Sequence, residues 1–367
     1  MNYCKICSEK KFLEINFNNL FLRTDSSNKK LHNYESRICS NCGVVFQYPQ
    51  ISEDVIAKHY NADYRKTNYS LNLDNNLTID FPLQIDRTGI SFQRFYYFFK
   101  ILNEIKNTEK DLNFADSKTI LDYGAYQGAF LYACKKTWKN IKTIAYDYND
   151  NGLEFAKKFL NIDYIYKAKN ITKDLIDHKV DICVALHSLE HMSDPVNFLK
   201  HVKSNILKND GYVYIEVPCA LTSEFNNPSH LFMYTKDSIK YLFEKCGYKI
   251  LHISEENLVN YHKMSVLKRH IQTSIHCLAH TNGTEKFNEE VNLGEKIKNE
   301  IEKNHKVKSN EIYFIMFKKF FKQSFLITYY GLFVFLGYIS NKISYSIFSK
   351  SNAILKKIKI LKKMGRK

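Results

Sequence analysis

The chain has 367 residues, of which 44% are hydrophobic and 25% charged, with 5 Pro and 12 Gly. That composition excludes a collagen-like or wholly disordered chain, and the length suffices to bury a core without disulfides. Its 54 Lys and Arg against 38 Asp and Glu give a net charge of +16, but the twelve basic and no acidic residues from Ile312 to Lys367 leave only +4 for the rest. A nucleic-acid-binding face over the whole molecule therefore does not follow.

The first element is a pair of cysteine knuckles, Cys4-x2-Cys7 and Cys39-x2-Cys42, the second followed by Gly43. Two intervening residues let a tight turn aim both sulfurs at one ion, and four thiolates with no open position describe a structural Zn2+ site. An Fe–S or redox site and unrelated core cysteines are the alternatives. Cys134, Cys183, Cys219, Cys246 and Cys277 share no ligand spacing and read as small core residues. The opening MNYCKICSEKK has neither the apolar run nor the cleavage site of a secretory signal, which predicts a reducing, cytoplasmic setting.

Residues 51–117 read as a connector and helical cap, with the bulky SFQRFYYFFKIL run as a helix packed across the next domain. At Lys118 the periodicity changes. TILDYG is a strand entering a glycine turn and GAFLYACKKTW a helix; TIAYDYN, DICVALHSL and GYVYIEVP are further strands separated by helical segments. Such alternation predicts a doubly wound α/β domain over 118–253, with ligand loops at the strand C-termini.

Gly124, Ala125 and Gly128 form the turn, where exposed backbone N–H groups can grip a polar ligand. Asp147 ends the second strand, placed to accept both ribose hydroxyls of an adenosyl group. Because the segment G-A-Y-Q-G-A lacks the second glycine of a dinucleotide fingerprint, a ligand without phosphates is preferred. His187, Glu190 and His191 follow the third strand; the two histidines are four apart, but no third metal ligand is evident and no catalytic metal is expected.

The segments ILDYGAYQG, AYDYN, HSLEHMSDPVNFLKHV, LKNDGYVYIEVP and NPSHLFMYTKDSIKYLFEKCGYKI together resemble class I S-adenosylmethionine-dependent methyltransferases. The CKIC and CSNCGVVFQYPQISEDVIAKHYNADY stretches are similar to a zinc-binding module that precedes this domain in a subset including deoxysugar C-methyltransferases. The resemblance covers about residues 1–253, with Tyr126 at the usual middle glycine. It implies Asp122 and Gly124 at the methionine side of the cofactor, Asp147 at the ribose, Tyr148 beside adenine, and Leu186 and His187 at the cofactor mouth.

For catalysis the resemblance points to His230 in PSHLFMYT as general base or substrate-orienting group, with Tyr64 closing the acceptor pocket and Glu216 orienting substrate or His230. Because the long C-terminal pattern expected of the deoxysugar C-methyltransferases is not recognisable after about residue 253, the expected reaction is O-methylation of a sugar in a surface glycan or nucleotide-linked precursor. Sugar C-methylation, RNA methylation and a noncatalytic membrane or glycan-assembly adaptor are the alternatives.

Residues 254–311 alternate in charge and read as a helical connector. In the 312–367 extension, Gln323 to Asn341 runs 19 residues without a charge between lysine-rich flanks. Peripheral attachment to an anionic membrane, such as the inner face of the plasma membrane, is expected ahead of crossing, level with a buried helix bearing a basic tail.

Overall fold

The computed structural model describes residues 3–15, 35–52, 55, 90–106, 118–167, 179–221, 229–265, 268–283 and 287–306. Tyr64, the uncharged 323–341 stretch and the basic tail lie outside them. No helix among the described residues is long and apolar enough to cross a membrane.

A seven-stranded sheet organises the molecule. Strands β4 (Thr119–Tyr123), β5 (Lys142–Asp147), β6 (Tyr164–Lys167), β7 (Val180–Leu186) and β8 (Leu207–Pro218) are mutually parallel, and β10 (Lys249–Ser265) and β11 (Lys268–His280) complete the order β10-β11-β8-β7-β4-β5-β6. Strand β11 pairs antiparallel with both β8 and β10. This is a Rossmann-like doubly wound topology with an antiparallel hairpin at one edge, the α/β class the sequence predicts.

Alternation along the central strands assigns the two faces. Ile182 and Val184 point into one apolar layer with α1 (Ile90–Lys106), α2 (Ala129–Thr137) and α3 (Asp150–Leu160). Cys183 and Ala185 point into the other, shared with α4 (Pro195–His201), α5 (Lys236–Lys245) and the cysteine module. The aromatic run 90–106 is thus a helix across the domain, as its composition predicts, with Phe98 and Ile101 fully buried. All five scattered cysteines are buried, as expected of core residues.

The helical reading of 254–311 requires correction. Residues 249–265 and 268–280 are a hairpin that widens the sheet past 253, and among the described residues of that stretch only α6 (Gly294–Lys306) is helical. The charge-alternating run at 285–308 does hold the helix α6, whereas SEEN, ahead of it, sits on a strand with one buried face, which a short polar-apolar pattern does not separate from an exposed helix. Leu258, Ile275 and Cys277 on these strands are fully buried.

A second sheet, of order β1-β2-β3-β9, carries the cysteines: β1 (Phe12–Glu14), β2 (Glu35–Cys39), β3 (Val45–Tyr48) and β9 (Phe232–Met233). Its last strand comes from the α/β domain: Val45 pairs with Met233 and Phe46 with Phe232. Helix α6 seals the outer side, burying Ile297 and Ile301 against Ile38, Val45, Ala220 and Met233. Gly43, at φ +69°, makes the tight turn the sequence suggests, and it also leaves room for Ile297, whose side chain a Cβ there would strike.

Candidate cofactor and acceptor site

The cofactor turn is built by β4 feeding α2. Gly124 and Gly128 have φ of +97° and +73°, the left-handed region that favours glycine, and the N–H groups of Gly124 and Ala125 donate to the Tyr146 carbonyl at 2.8 and 3.2 Å. Tyr126, standing where the resembling family usually has glycine, also takes a positive φ of 48°. Its ring is accommodated because Gly152 at the start of α3 has no side chain: a Cβ there would lie 2.7 Å from it.

Asp147 closes this turn from the neighbouring strand. One carboxylate oxygen accepts from the Tyr126 N–H and the other from the Asn149 N–H, each at 2.8 Å. Asn149 in turn caps α3 by accepting from the Gly152 N–H at 2.8 Å. A carboxylate has about four lone-pair sites, so two remain for a pair of ribose hydroxyls. Tyr148, next in the chain, is half-buried against the core, and Leu186 is buried at the end of β7.

Asp122 is buried on β4, and its Oδ1 has no hydrogen-bond partner. Burial first, and then the Asp147 charge, push its pKa up to about 8 against the lowering effect of Arg94. A buried carboxyl left with an open acceptor beside a glycine turn fits the amino acid end of a bound S-adenosylmethionine.

The facing wall comes from the ends of β7 and β8. Ser188 lies against Gly124, where its hydroxyl occupies the space of a glycine Cβ, so the 187–191 segment adjoins the cofactor turn directly. His187 adopts φ 51°, and its N–H donates to the Glu216 carbonyl at 2.8 Å. Its Nε2 lies 2.9 Å from Glu216 Oε1 and its Nδ1 3.2 Å from Glu190 Oε1. With a carboxylate at each nitrogen the ring is set up as an imidazolium. Burial and Arg94 oppose that charge, yet Glu190 and Glu216 raise its pKa overall.

Glu216 is fully buried and anchored by Arg94 Nε at 2.9 Å. Burial raises its pKa, but Arg94, His187 and His276 together hold it well below the carboxylate range. His276 lies behind it, Nδ1 3.9 Å from Glu216 Oε2 and 2.6 Å from the Tyr214 hydroxyl. Arg94, Tyr214 and His276 escaped the sequence reading: an arginine in an aromatic helix and a histidine on an unrecognised strand carry no local signature.

His230 also stands in this wall, its ring 4.9 Å from that of His191. The carboxylate whose charge it feels is Glu190, whereas Glu216 is taken up by Arg94 and His187. Burial first, and then His191 and His187, push the His230 pKa down to about 3. The ring is therefore a neutral imidazole throughout the physiological range.

In the cysteine module, Cys4 and Cys42 sulfurs lie 3.7 Å apart and those of Cys7 and Cys39 3.3 Å apart, with all four within 4.8 Å of one another. Four thiolates at ~2.3 Å from one tetrahedral ion would stand ~3.8 Å apart. The donor set fits such an ion.

Residues 93–253 match a family model described as a methyltransferase domain. Solved structures with a similar fold include one from the complex of the Haloferax volcanii Trm112 methyltransferase activator with its partner, at 13% identity over 53% of this chain and 92% of that one, TM-score 0.41. Another is a SAM-dependent methyltransferase from Aquifex aeolicus, at 16% identity over 54% of this chain and 98% of that one, TM-score 0.39. A search of curated proteins found no match. Together the sheet order and the family match make this a methyltransferase domain, and its activity is methyl transfer from S-adenosylmethionine.

Proposed function

We propose that the chain methylates a hydroxyl oxygen of a sugar, in a surface glycan or its nucleotide-linked precursor, and that Cys4, Cys7, Cys39 and Cys42 hold a structural Zn2+. The observation that supports the acceptor class is the wall of His187, Glu190, His191 and His230 beside the cofactor turn, which offers hydrogen-bonding groups to a polyhydroxylated molecule rather than an apolar slot. Methyl transfer needs the acceptor oxygen in line with the methyl–sulfur bond and a place for its proton. The neutral imidazole of His230 provides that place, and no covalent enzyme intermediate is required.

The test is incubation with a radiolabelled methyl donor followed by separation of glycan, lipid, protein and RNA fractions. Label in glycan as an ether, released as methyl iodide by hydriodic acid, supports the reading. Label on carbon, label in RNA, or no transfer overturns it.

Two further outcomes bear on the cofactor side. Asp147→Ala should weaken S-adenosylmethionine by about 1.5–3 kcal/mol, roughly 10- to 100-fold, if its two remaining acceptor sites hold the ribose. Unchanged affinity by calorimetry in a folded variant would remove Asp147 from the site.

The pH dependence follows from Asp122, whose folded pKa of about 8 lies above its unfolded value. Its contribution to stability is complete below the unfolded carboxylate pKa and is lost as pH rises through about 8, because the unfolded chain ionises first. The thermal midpoint of the ligand-free protein should therefore fall from pH 5 to 8 relative to Asp122→Asn. A cationic ligand beside Asp122 favours the ionised form, so affinity for S-adenosylmethionine should rise with pH over the same window, and the Asn variant should lose this dependence. Parallel profiles for the two proteins would exclude the carboxyl as their source.

A further inference from the structure

We propose that Glu190, His191 and His230 bind a divalent transition-metal ion that keeps one coordination position for the acceptor oxygen; this deepens, and rests on, the methyl-transfer reading above. One ligand atom from each of the three residues lies within 4.8 Å of the others. Ligands at ~2.1 Å from a tetrahedral ion stand ~3.4 Å apart, so side-chain rotations on the order of an ångström close the site.

Three features of the cluster point to an ion. The Ser229 carbonyl, which can only accept, lies 2.7 Å from His191 Nδ1, so Nδ1 carries the proton and Nε2 presents its lone pair 3.8 Å from Glu190 Oε1. A histidine whose second nitrogen donates to a backbone carbonyl is the usual outer-shell arrangement of a metal ligand. Glu190 is fully buried and neither of its oxygens makes a hydrogen bond of normal geometry, although His187 Nδ1 stands 3.2 Å from Oε1. A buried carboxylate so placed gains from a cation at its remaining lone pairs. The backbone, finally, ties the ligands together: the Leu231 N–H donates to the Glu190 carbonyl at 2.8 Å, fixing His230 relative to Glu190.

Two imidazoles and a carboxylate suit zinc, cobalt, manganese or iron(II), and three protein ligands leave room for a fourth from outside. His191 and His230 are partly exposed. A sugar hydroxyl bound there gives up its proton to solvent. Its oxygen then forms the O–CH3 bond as the S–CH3 bond breaks, with the electron pair left on sulfur as a neutral thioether. His187 serves as a positioning residue, holding Glu190 from behind while bound to Glu216. The ligand that joins Glu190 and His191, His230, thus comes from further along the chain.

The experiment uses the full chain with zinc in the cysteine site, titrated with Co2+. One further equivalent should bind with weak visible bands and no thiolate-to-cobalt charge transfer. Affinity for it should fall at least ~100-fold in Glu190→Gln and in His191→Ala, beyond the loss of an outer-shell partner, with S-adenosylmethionine binding retained as the sign of folding. No further equivalent, a thiolate band accompanying it, or equal binding by both variants overturns the proposal. Should either variant fail to fold, the stoichiometry and spectrum of the native chain still decide. Labelled glycan from protein that binds no second ion leaves methyl transfer standing and the ion refuted; a bound ion without glycan labelling does the reverse.

Discussion

Cys39→Ala should abolish methyl transfer while leaving S-adenosylmethionine affinity nearly unchanged. In small thiolate sites the binding energy of the metal is folding energy, of order 10 kcal/mol or more, so losing one ligand unfolds the module. The consequence reaches the acceptor wall through the sheet the two parts share. Strand β3 pairs with Phe232 and Met233, and the Gln47 N–H donates to the Leu231 carbonyl at 3.0 Å, immediately beside His230. The cofactor turn instead rests on β4 and β5, neither of which pairs with β3 or β9. Calorimetry for the cofactor and labelled-methyl transfer for turnover separate the two effects, and metal analysis should show the loss of the thiolate-bound ion. Full turnover in a metal-free module would show that the sheet stands without it.

His230→Ala should lower turnover by roughly 100-fold or more with cofactor affinity retained, the scale expected when a group that handles the acceptor proton is removed. The ring stands 4.9 Å from His191 and beside Glu190, and its backbone is pinned through Leu231. Proton acceptance and ion binding both require its nitrogen lone pair, so His230→Gln should fail as badly as Ala; the cobalt titration distinguishes the two uses. A loss of cofactor binding equal to the loss of turnover would make His230 a structural residue, and near-normal turnover at saturating acceptor would remove it from the reaction.

Much of the cofactor half is local, and for that reason legible. The strand, glycine turn and helix of 119–137 lie in one continuous segment, and Asp147 ends the very next strand, so period and punctuation suffice. The paired cysteines carry their own geometry, since two intervening residues fix a knuckle whatever surrounds it. The aromatic run of α1 is apolar enough to demand burial.

The acceptor half depends on contacts between distant parts of the chain, which leave no periodicity. Arg94 meets Glu216 across 122 residues, and His191 reaches the Ser229 carbonyl across 38. Strand β11 inserts between β8 and β10 and makes sheet of a stretch that the sequence placed in a helical connector. The sequence by itself determined the α/β class, the cofactor turn and the four-thiolate cluster, because each is specified by residues close enough to constrain one another directly. Only the tertiary structure decided that the cysteine module shares a sheet with the strand after His230, that α6 seals it, and that Glu190 rather than Glu216 faces His230. Those outcomes are set by which surfaces bury against each other, an energy summed over the whole core and written in no single segment.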